Sequence, residues 1–172
     1  MNVAFDSGGL SGDGKSDDTA MRWALEEAEV AGRAVDVPVG AVIVCEGRVV
    51  GRGRNRTREL QDPTAHAEMI AIRAAAAELG SWRLLDCTMF VTLEPCAMCA
   101  GALVLARLPR LAFGAADPKS GACGSLRNVV ADPRLNHRLS VAPGILETEC
   151  GSLLTRFFRE RRGAGPSDHL TL

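Results

Sequence analysis

Two short motifs, thirty positions apart, constrain this chain more than any other feature of its sequence. In the first motif Glu68 follows His66 by two positions, and in the second Cys99 follows Cys96 by three. One imidazole and two cysteines are ligand types that Zn²⁺ prefers, and three protein ligands leave the fourth tetrahedral position open for water. The motifs therefore predict a catalytic zinc site built by two separate segments, with Glu68 left free to transfer protons.

Each motif alone has a simpler interpretation. A Cys-x-x-Cys pair can be a redox pair or half of a structural zinc site, and a His-x-Glu on an alanine-rich helix can be a plain surface feature. A structural site needs a fourth Cys or His at matching spacing, and none is evident in the sequence. Together and in this order, the two motifs match the H-x-E…P-C-x-x-C signature of zinc-dependent nucleobase deaminases.

Composition predicts one globular domain with an uneven distribution of charge. The chain has 172 residues, 47% of them apolar, and a net charge of −1, which leaves room for a sizeable core. Residues 1–32 carry seven acidic and two basic side chains, so the remainder is net positive, and Lys119 is its one cation that is not arginine. Arginine suits bidentate phosphate contacts, so this charge is compatible with a polyanionic partner.

Nothing in the sequence indicates secretion or insertion into a membrane. The first twenty residues lack a basic segment followed by an apolar one, as a signal peptide would have, and the apolar run 102–106 is far too short to span a bilayer. We therefore expect a cytoplasmic, reducing environment. There the remaining cysteines should be buried or spectator thiols rather than disulfide partners: Cys45, Cys87, Cys123 and Cys150.

The N-terminal third predicts an extension, a helix and a hairpin. Residues 1–17 are rich in Gly, Ser and Asp, which predicts a flexible acidic extension. Capping residues at 18 and 19 then predict a helix over about 18–31. Two β-like runs, 39–45 and 48–54, flank a Glu-Gly pair and predict a hairpin, followed by a polar loop.

A second helix should carry the first motif. Asp62 as N-cap and Pro63 at the first helical position predict a helix that runs to Leu79. His66 and Glu68 would then lie in its first turn, where the positive end of the helix dipole favours an ionised carboxylate.

A strand over 88–93 should turn directly into a helix that carries the second motif. Cys96 and Cys99 would lie on one side of this helix, because positions i and i+3 share a face. The rest of the helix, through Ala106, is apolar on every face. Such a helix is usually buried on both sides, here by the sheet and by a second subunit.

The remaining segments complete an alternating pattern of strands and helices. They predict a strand over 110–114, a long loop, a strand over 139–141, a helix over 146–162 and a loose tail over 163–172. Alternating strands and helices indicate an α/β protein, here a three-layer α/β/α sandwich with a mixed five-stranded sheet over residues 18–162.

With these residues in view, the chain resembles the bacterial tRNA-specific adenosine deaminases over about residues 21–162. The resemblance rests on motifs much longer than the zinc ligands, namely VPVGAV (37–42), DPTAHAE (62–68), VTLEPC (91–96), MCAGA (98–102), NHR (136–138) and FFR (157–159). It implies the cytidine-deaminase-like fold and a homodimer with one Zn²⁺ per subunit. It also implies hydrolytic conversion of the wobble adenosine to inosine in the anticodon stem-loop of an arginine tRNA.

The resemblance also implies roles for individual residues. The zinc ligands would be His66, Cys96 and Cys99, and Glu68 would shuttle protons. Asn55 would contact the target adenine, while the N–H of Ala67 would help to hold the oxygen that zinc carries. The implied RNA contacts are Asp117 near the target nucleotide, and Lys119, Asn136, Phe158 and the C-terminal arginines along the RNA surface.

Several alternatives stay open from the residues themselves. Asn55 can be an ordinary turn residue at a strand end, and Trp82 a packing group. Phe157 and Phe158 are adjacent on a helix and cannot both face inward, which leaves one free to stack on a base. At the level of function, the alternatives are a deaminase of free bases or nucleosides such as guanine or cytosine, and a non-catalytic zinc-stabilised RNA-binding module. A bifunctional riboflavin-pathway enzyme is not expected, because 172 residues leave no room for its reductase domain.

Overall fold

A mixed five-stranded sheet forms the middle of the protein in a computed structural model that describes residues 14–163. Strand β1 pairs antiparallel with β2 and β3, whereas β3 with β4 and β4 with β5 pair in parallel. The order across the sheet is β2-β1-β3-β4-β5, which confirms the predicted mixed sheet. The strands are β1 (Gly40–Cys45), β2 (Arg48–Arg54), β3 (Cys87–Leu93), β4 (Arg110–Ala115) and β5 (Ser140–Pro143).

Within residues 14–163, five helices accompany these strands and cover both faces of the sheet. They are α1 (Gly14–Arg33), α2 (Thr57–Leu60), α3 (Ala67–Leu79), α4 (Ala97–Leu105) and α5 (Glu147–Gly163). Helices α3 and α4 pack on one face, and α1 and α5 pack on the other. The predicted three-layer α/β/α sandwich is therefore confirmed. Between residues 14 and 163, no helix is long and apolar enough to cross a bilayer.

The central strands supply both cores by alternation. Val42 and Phe90 point to the layer of α1 and α5, while Ile43 and Val91 point to the layer of α3 and α4. Successive side chains of a strand face opposite sides, so one pair of strands contributes to two cores. Each fully buried side chain of this size stabilises the fold by ~1.5–3 kcal/mol, which fixes the register of the strands that lead into the two motifs.

Two glycines in β2 allow α3 to lie directly against the sheet. A Cβ atom at Gly53 would overlap the carbonyl oxygen of Ala67, and one at Gly51 would overlap that of Ala71. This close approach of backbones is possible only where the side chain is absent. The first turn of α3 is thereby fixed at the end of β2.

Helix α1 begins earlier than predicted. Residues 14–17 belong to the helix rather than to a flexible extension, because Asp17 is pinned to the sheet. Its carboxylate accepts hydrogen bonds from both terminal nitrogens of Arg110 in β4, at 3.1 and 2.5 Å. Gly163, predicted to begin the loose tail, is the last residue of α5. The rest of the predicted extension, residues 1–13, and the rest of the predicted tail, residues 164–172, lie outside the described residues.

Helix α3 begins later than predicted, at Ala67 instead of Pro63. The Asp62 carboxylate accepts hydrogen bonds from the N–H of Thr64 at 2.8 Å and from its hydroxyl at 2.7 Å. Asp62 therefore closes a local turn of the kind that Asp commonly forms, and His66 becomes the N-cap of α3.

The polar loop predicted after β2 contains the short helix α2, whose start is held by a distant carboxylate. Asp36 is 1% exposed and accepts hydrogen bonds from the Thr57 hydroxyl at 2.6 Å and the Arg58 N–H at 3.1 Å. Trp82, predicted to be a packing group, is instead 60% exposed, with the Arg83 guanidinium 4.6 Å above its ring.

Candidate active site

The starts of α3 and α4 bring the two sequence motifs together. His66 is the N-cap of α3 and Cys96 is the N-cap of α4, with Cys99 in the first turn of α4. His66 Nδ1 lies 3.7 Å from Cys96 Sγ and 3.5 Å from Cys99 Sγ. The possible ligand atoms of these three residues all lie within 4.8 Å of one another.

The donor set and its spacing fit a zinc ion. Nitrogen and sulfur atoms at the usual Zn–N and Zn–S bond lengths of a tetrahedral site lie ~3.6 Å apart. The separations of 3.7 and 3.5 Å between His66 Nδ1 and the two sulfurs match this value. The three residues could therefore bind one ion without a rearrangement of either helix.

Hydrogen bonds within the cluster already favour a thiolate. Those from Cys99 and then from His66 lower the pKa of Cys96 to about 3, against the opposing effect of burial. The pKa of Cys99 is raised because of its hydrogen bond with Cys96 and because it is buried. The pKa of His66 is also raised, chiefly by its hydrogen bond to Cys96. A thiolate is the form in which cysteine binds metals, so the lowered pKa of Cys96 favours metal binding, whereas Cys99 would lose its proton when a metal binds.

Glu68 lies in the first turn of α3 and is not one of the three clustered groups. Its side chain is buried, with the residue 4% exposed. Burial raises the pKa of Glu68, against the smaller lowering effects of its own backbone N–H and of His66. The expectation that the helix N-terminus would favour the ionised form is therefore outweighed by desolvation. A buried carboxyl group with a raised pKa suits both acceptance and release of a proton.

Asn55 joins the end of β2 to the start of α3. It is 8% exposed, and its Oδ1 accepts the N–H of Ala67 at 2.9 Å. The His66 side chain makes no capping hydrogen bond for α3, so Asn55 supplies the missing acceptor from outside the helix. The N–H of Ala67 is thus already donated. The contact predicted between this N–H and an oxygen on the metal stays a prediction. So does the contact predicted between Asn55 and adenine.

Two residues predicted to contact RNA lie in the segment after β4, namely Asp117, near the target nucleotide, and Lys119, along the RNA surface. The Asp117 carboxylate accepts the backbone N–H groups of Lys119 at 2.9 Å and Ser120 at 3.2 Å, and the Ser120 hydroxyl at 2.5 Å. Asp117 therefore shapes its own loop, while Lys119 is exposed. These positions are compatible with the predicted contacts, which stay predictions.

The other predicted RNA contacts lie on the surface further along the chain. Asn136 is exposed, and its Oδ1 accepts a hydrogen bond from Arg107 at 2.9 Å. Phe158 is 38% exposed and meets Phe157 edge to face, with ring centroids 5.4 Å apart. Phe157 is the more buried of the two and stacks under Arg161 at 4.7 Å. The sequence argument that only one of these rings can face inward is confirmed.

Sequence reasoning missed Glu94, a buried carboxylate beside the second motif. It is 2% exposed and accepts the N–H groups of Asp117, Cys123 and Ser125 at 3.0, 3.0 and 2.9 Å, together with the Ser125 hydroxyl. Burial opposes its ionised form, but these hydrogen bonds outweigh burial and lower the pKa of Glu94. The one signal in the sequence was an acidic residue directly after a buried strand.

Comparison with known proteins agrees with this geometry. The sequence model of the MafB19-like deaminase family matches residues 15–162. The tRNA-specific adenosine deaminase of Bacillus subtilis is 47% identical over 85% of this chain and 91% of its own. That of Haemophilus influenzae is 48% identical over 85% of both chains. A solved structure from a study of A-to-I editing by tRNA deaminases at the wobble position of transfer RNA superposes with a TM-score of 0.77. It is 48% identical and covers 79% of this chain and 99% of its own. The chain therefore belongs to the MafB19-like deaminases and to the family of bacterial tRNA-specific adenosine deaminases.

Proposed function

We propose that this protein is a hydrolase that deaminates adenosine to inosine at the wobble position of a tRNA anticodon, with an arginine tRNA as substrate. The observation that carries the proposal is a buried Glu68 beside a cluster of His66, Cys96 and Cys99. A purely structural metal site has no use for a free carboxylate at this position. The names of the Bacillus subtilis and Haemophilus influenzae relatives support the choice of tRNA as substrate.

We infer that one Zn²⁺ per subunit binds to His66 Nδ1 and the two thiolates. Bound there, zinc would bring the pKa of a water molecule toward ~7 and so make hydroxide available at neutral pH. The two sulfurs lie on the same side of α4, and Cys99 is fully buried, so the ion would be screened from bulk water on that side.

Glu68 moves the protons of the reaction. Its carboxylate accepts one proton from the attacking water and delivers it to a ring nitrogen of adenine, which makes C6 more electrophilic. The oxygen of the water forms a bond to C6. Glu68 then transfers the second proton of the water to the amino group. The C6–N bond breaks, ammonia leaves, and C6 becomes a carbonyl. One positioned acid/base thus serves every proton transfer.

The target base must reach this carboxylate from outside its stack. The anticodon loop of a tRNA already exposes the wobble base, so the unstacking cost of a few kcal/mol is reduced. Asn55 would orient the adenine through its amide Nδ2, because its Oδ1 already accepts a hydrogen bond from the N–H of Ala67. Further contacts with the stem-loop would come from Asp117, Lys119, Asn136, Phe158 and the arginines at the end of α5.

The active enzyme would be a cytoplasmic homodimer that associates through α4. Leu105 is 73% exposed and Met98 is 36% exposed on this otherwise apolar helix. Exposed apolar side chains on one helix are unfavourable in water. A second copy of the chain would cover them, as expected from the sequence.

The experiment that tests this function uses the metal-loaded protein and a transcribed arginine tRNA anticodon stem-loop. We expect inosine at the wobble position, measured by nuclease digestion and mass spectrometry. One equivalent of ammonia should be released for each inosine formed. A stem-loop with guanosine at that position is the control and should yield no product. Deamination of free guanine or cytosine, without inosine in the stem-loop, would instead support the small-molecule alternative. Failure to deaminate either substrate would support the RNA-binding module.

A further inference from the structure

The carboxylate of Glu94 gathers four donors from one segment of the chain, residues 117–125. Its Oε2 accepts the Asp117 N–H at 3.0 Å and the Ser125 hydroxyl, and its Oε1 accepts the N–H groups of Cys123 and Ser125 at 3.0 and 2.9 Å. The donors span both ends of the segment. A single side chain therefore connects the two ends of the segment.

The same segment also packs against the start of α4. The N–H of Ala122 donates to the carbonyl of Pro95 at 2.9 Å, and Gly121 forms an isolated bridge with Cys96. A Cβ atom at Gly121 would overlap the Glu94 carboxylate and the carbonyl of Asp117. The segment is thus fitted closely around Glu94, next to a candidate metal ligand.

The outer side of the segment is free to meet a partner. Lys119 and Ser120 are exposed, as are residues 124–127. The N–H groups of Lys119 and Ser120 donate to the Asp117 carboxylate, and the N–H of Asp117 in turn donates to Glu94. The orientation of these outer side chains therefore depends on the contact that Glu94 makes with Asp117. The segment thus has an inner side, which contacts Glu94 and Pro95, and an outer side, which is exposed to solvent.

We propose that Glu94 is a positioning residue for RNA, which holds residues 117–125 so that Asp117 and Lys119 face the bound stem-loop. The proposal rests on the proposed function for its ligand. Glu94 touches neither the substrate nor the reacting atoms; it acts through the segment. Its removal should therefore weaken RNA binding more than the chemical step.

Glu94→Gln tests this with the smallest change of shape. An amide has one oxygen that accepts and one NH₂ group that cannot, so at least one of the three backbone N–H donors loses its partner. The KM for the stem-loop should rise about threefold to tenfold with kcat within about twofold, as expected when a binding contact rather than a transition-state contact is lost. Zinc content should be unchanged. Amide hydrogen exchange at Asp117, Cys123 and Ser125 should be faster.

Two further variants separate positioning from general stability. Asp36→Asn alters a similarly buried carboxylate that holds α2 instead of residues 117–125. It should lower thermal stability about as much as Glu94→Gln does, but leave amide exchange over residues 117–125 unchanged. Ser125→Ala removes one of the four hydrogen bonds and, because Ser125 is exposed, should fold normally with a smaller rise in KM.

Three results would overturn the proposal: unchanged exchange and KM in Glu94→Gln, loss of zinc from Glu94→Gln, or a fall in kcat without a change in KM. Exchange is measured without RNA. An unmodified protein that fails to make inosine would therefore disprove the proposed function, while the exchange rates still decide whether Glu94 holds the segment.

Discussion

Glu68 carries the chemical distinction between a catalytic and a structural metal site in this protein. Its carboxylate is buried beside the three clustered groups without being one of them. The cysteines fall into two groups. Cys96 and Cys99 lie in the cluster, whereas the free cysteines Cys45 and Cys87 lie opposite each other on β1 and β3, away from the cluster. Two substitutions at the scale of single residues follow from this.

Glu68→Gln should abolish most of the activity and leave the metal in place. It preserves size and burial but removes the group that transfers protons, so kcat should fall by ~10²–10⁴-fold. Inosine formation under single-turnover conditions and zinc by atomic absorption are the measurements. Glu78→Gln, on the exposed side of the same helix, is the matched control and should retain the parent rate. A Glu68→Gln rate within a few-fold of the parent would show that another group moves the protons.

Cys99→Ala should lose both zinc and activity. It removes one of three candidate ligands whose ligand atoms lie within 4.8 Å of one another, and two ligands do not complete the protein part of a zinc site. Cys45→Ser should retain about one zinc per subunit, because Cys45 lies in the sheet and outside the cluster. Metal analysis of both purified variants decides the assignment, and loss of zinc from Cys45→Ser would contradict it.

At the scale of secondary structure, the candidate metal ligands are positioned by the starts of two helices. The start of α3 is fixed by Asn55 and by the glycines of β2, and the start of α4 by the turn at Glu94 and Pro95. Neither helix has a side-chain cap of its own. At α3, a contact from another element, the Asn55 side chain, therefore replaces the local capping signal.

The same observation explains what the sequence could and could not predict. The strands and both motifs followed from local pattern, and so did the end of α3 at Gly80, whose φ of 61° suits glycine. The start of α3 did not, since Asp62 caps a turn by the same hydrogen bond that would cap a helix. The start of α1 depends on Arg110, 93 positions away. Long-range partners of this kind leave no local pattern.

Gly53→Ala should disturb the start of α3. The new methyl group would overlap the carbonyl of Ala67, and overpacking of this kind costs about 1–3 kcal/mol. Urea unfolding should show this loss, and kcat/KM for the stem-loop should fall with it. Gly151→Ala in α5 has nothing within 4 Å of the added atom. It should instead gain up to ~1 kcal/mol through helix propensity. An equal response of the two variants would contradict the close approach.

The molecule as a whole leaves an apolar helix surface partly exposed. Leu105 and Met98 lie on α4 and are accessible in the single chain, on the same side of the sheet as α3 and the candidate active site. Association through this surface would leave the layer of α1 and α5 in contact with solvent.

Leu105→Glu should convert the proposed dimer to a monomer. A charge at a residue that is 73% exposed in the single chain costs the fold little but is unfavourable in an apolar interface. Light scattering measures the mass at several concentrations. Val35→Asn removes an exposed apolar side chain beyond the end of α1, at a φ of 68° that Asn tolerates, and should leave the dimer intact. An unmodified protein that is monomeric and fully active would contradict the proposed dimer.

The strand order has a consequence for folding kinetics. Helix α3 connects β2 to β3, yet β1 lies between those two strands in the sheet. Cys96 and Cys99 can therefore reach His66 only after β3 has paired with β1, a long-range step that is slow compared with local helix or hairpin formation. The three candidate ligands would then come together only after the transition state of folding. A metal ion that needs all three should slow the rate of unfolding, and should leave the rate of refolding almost unchanged.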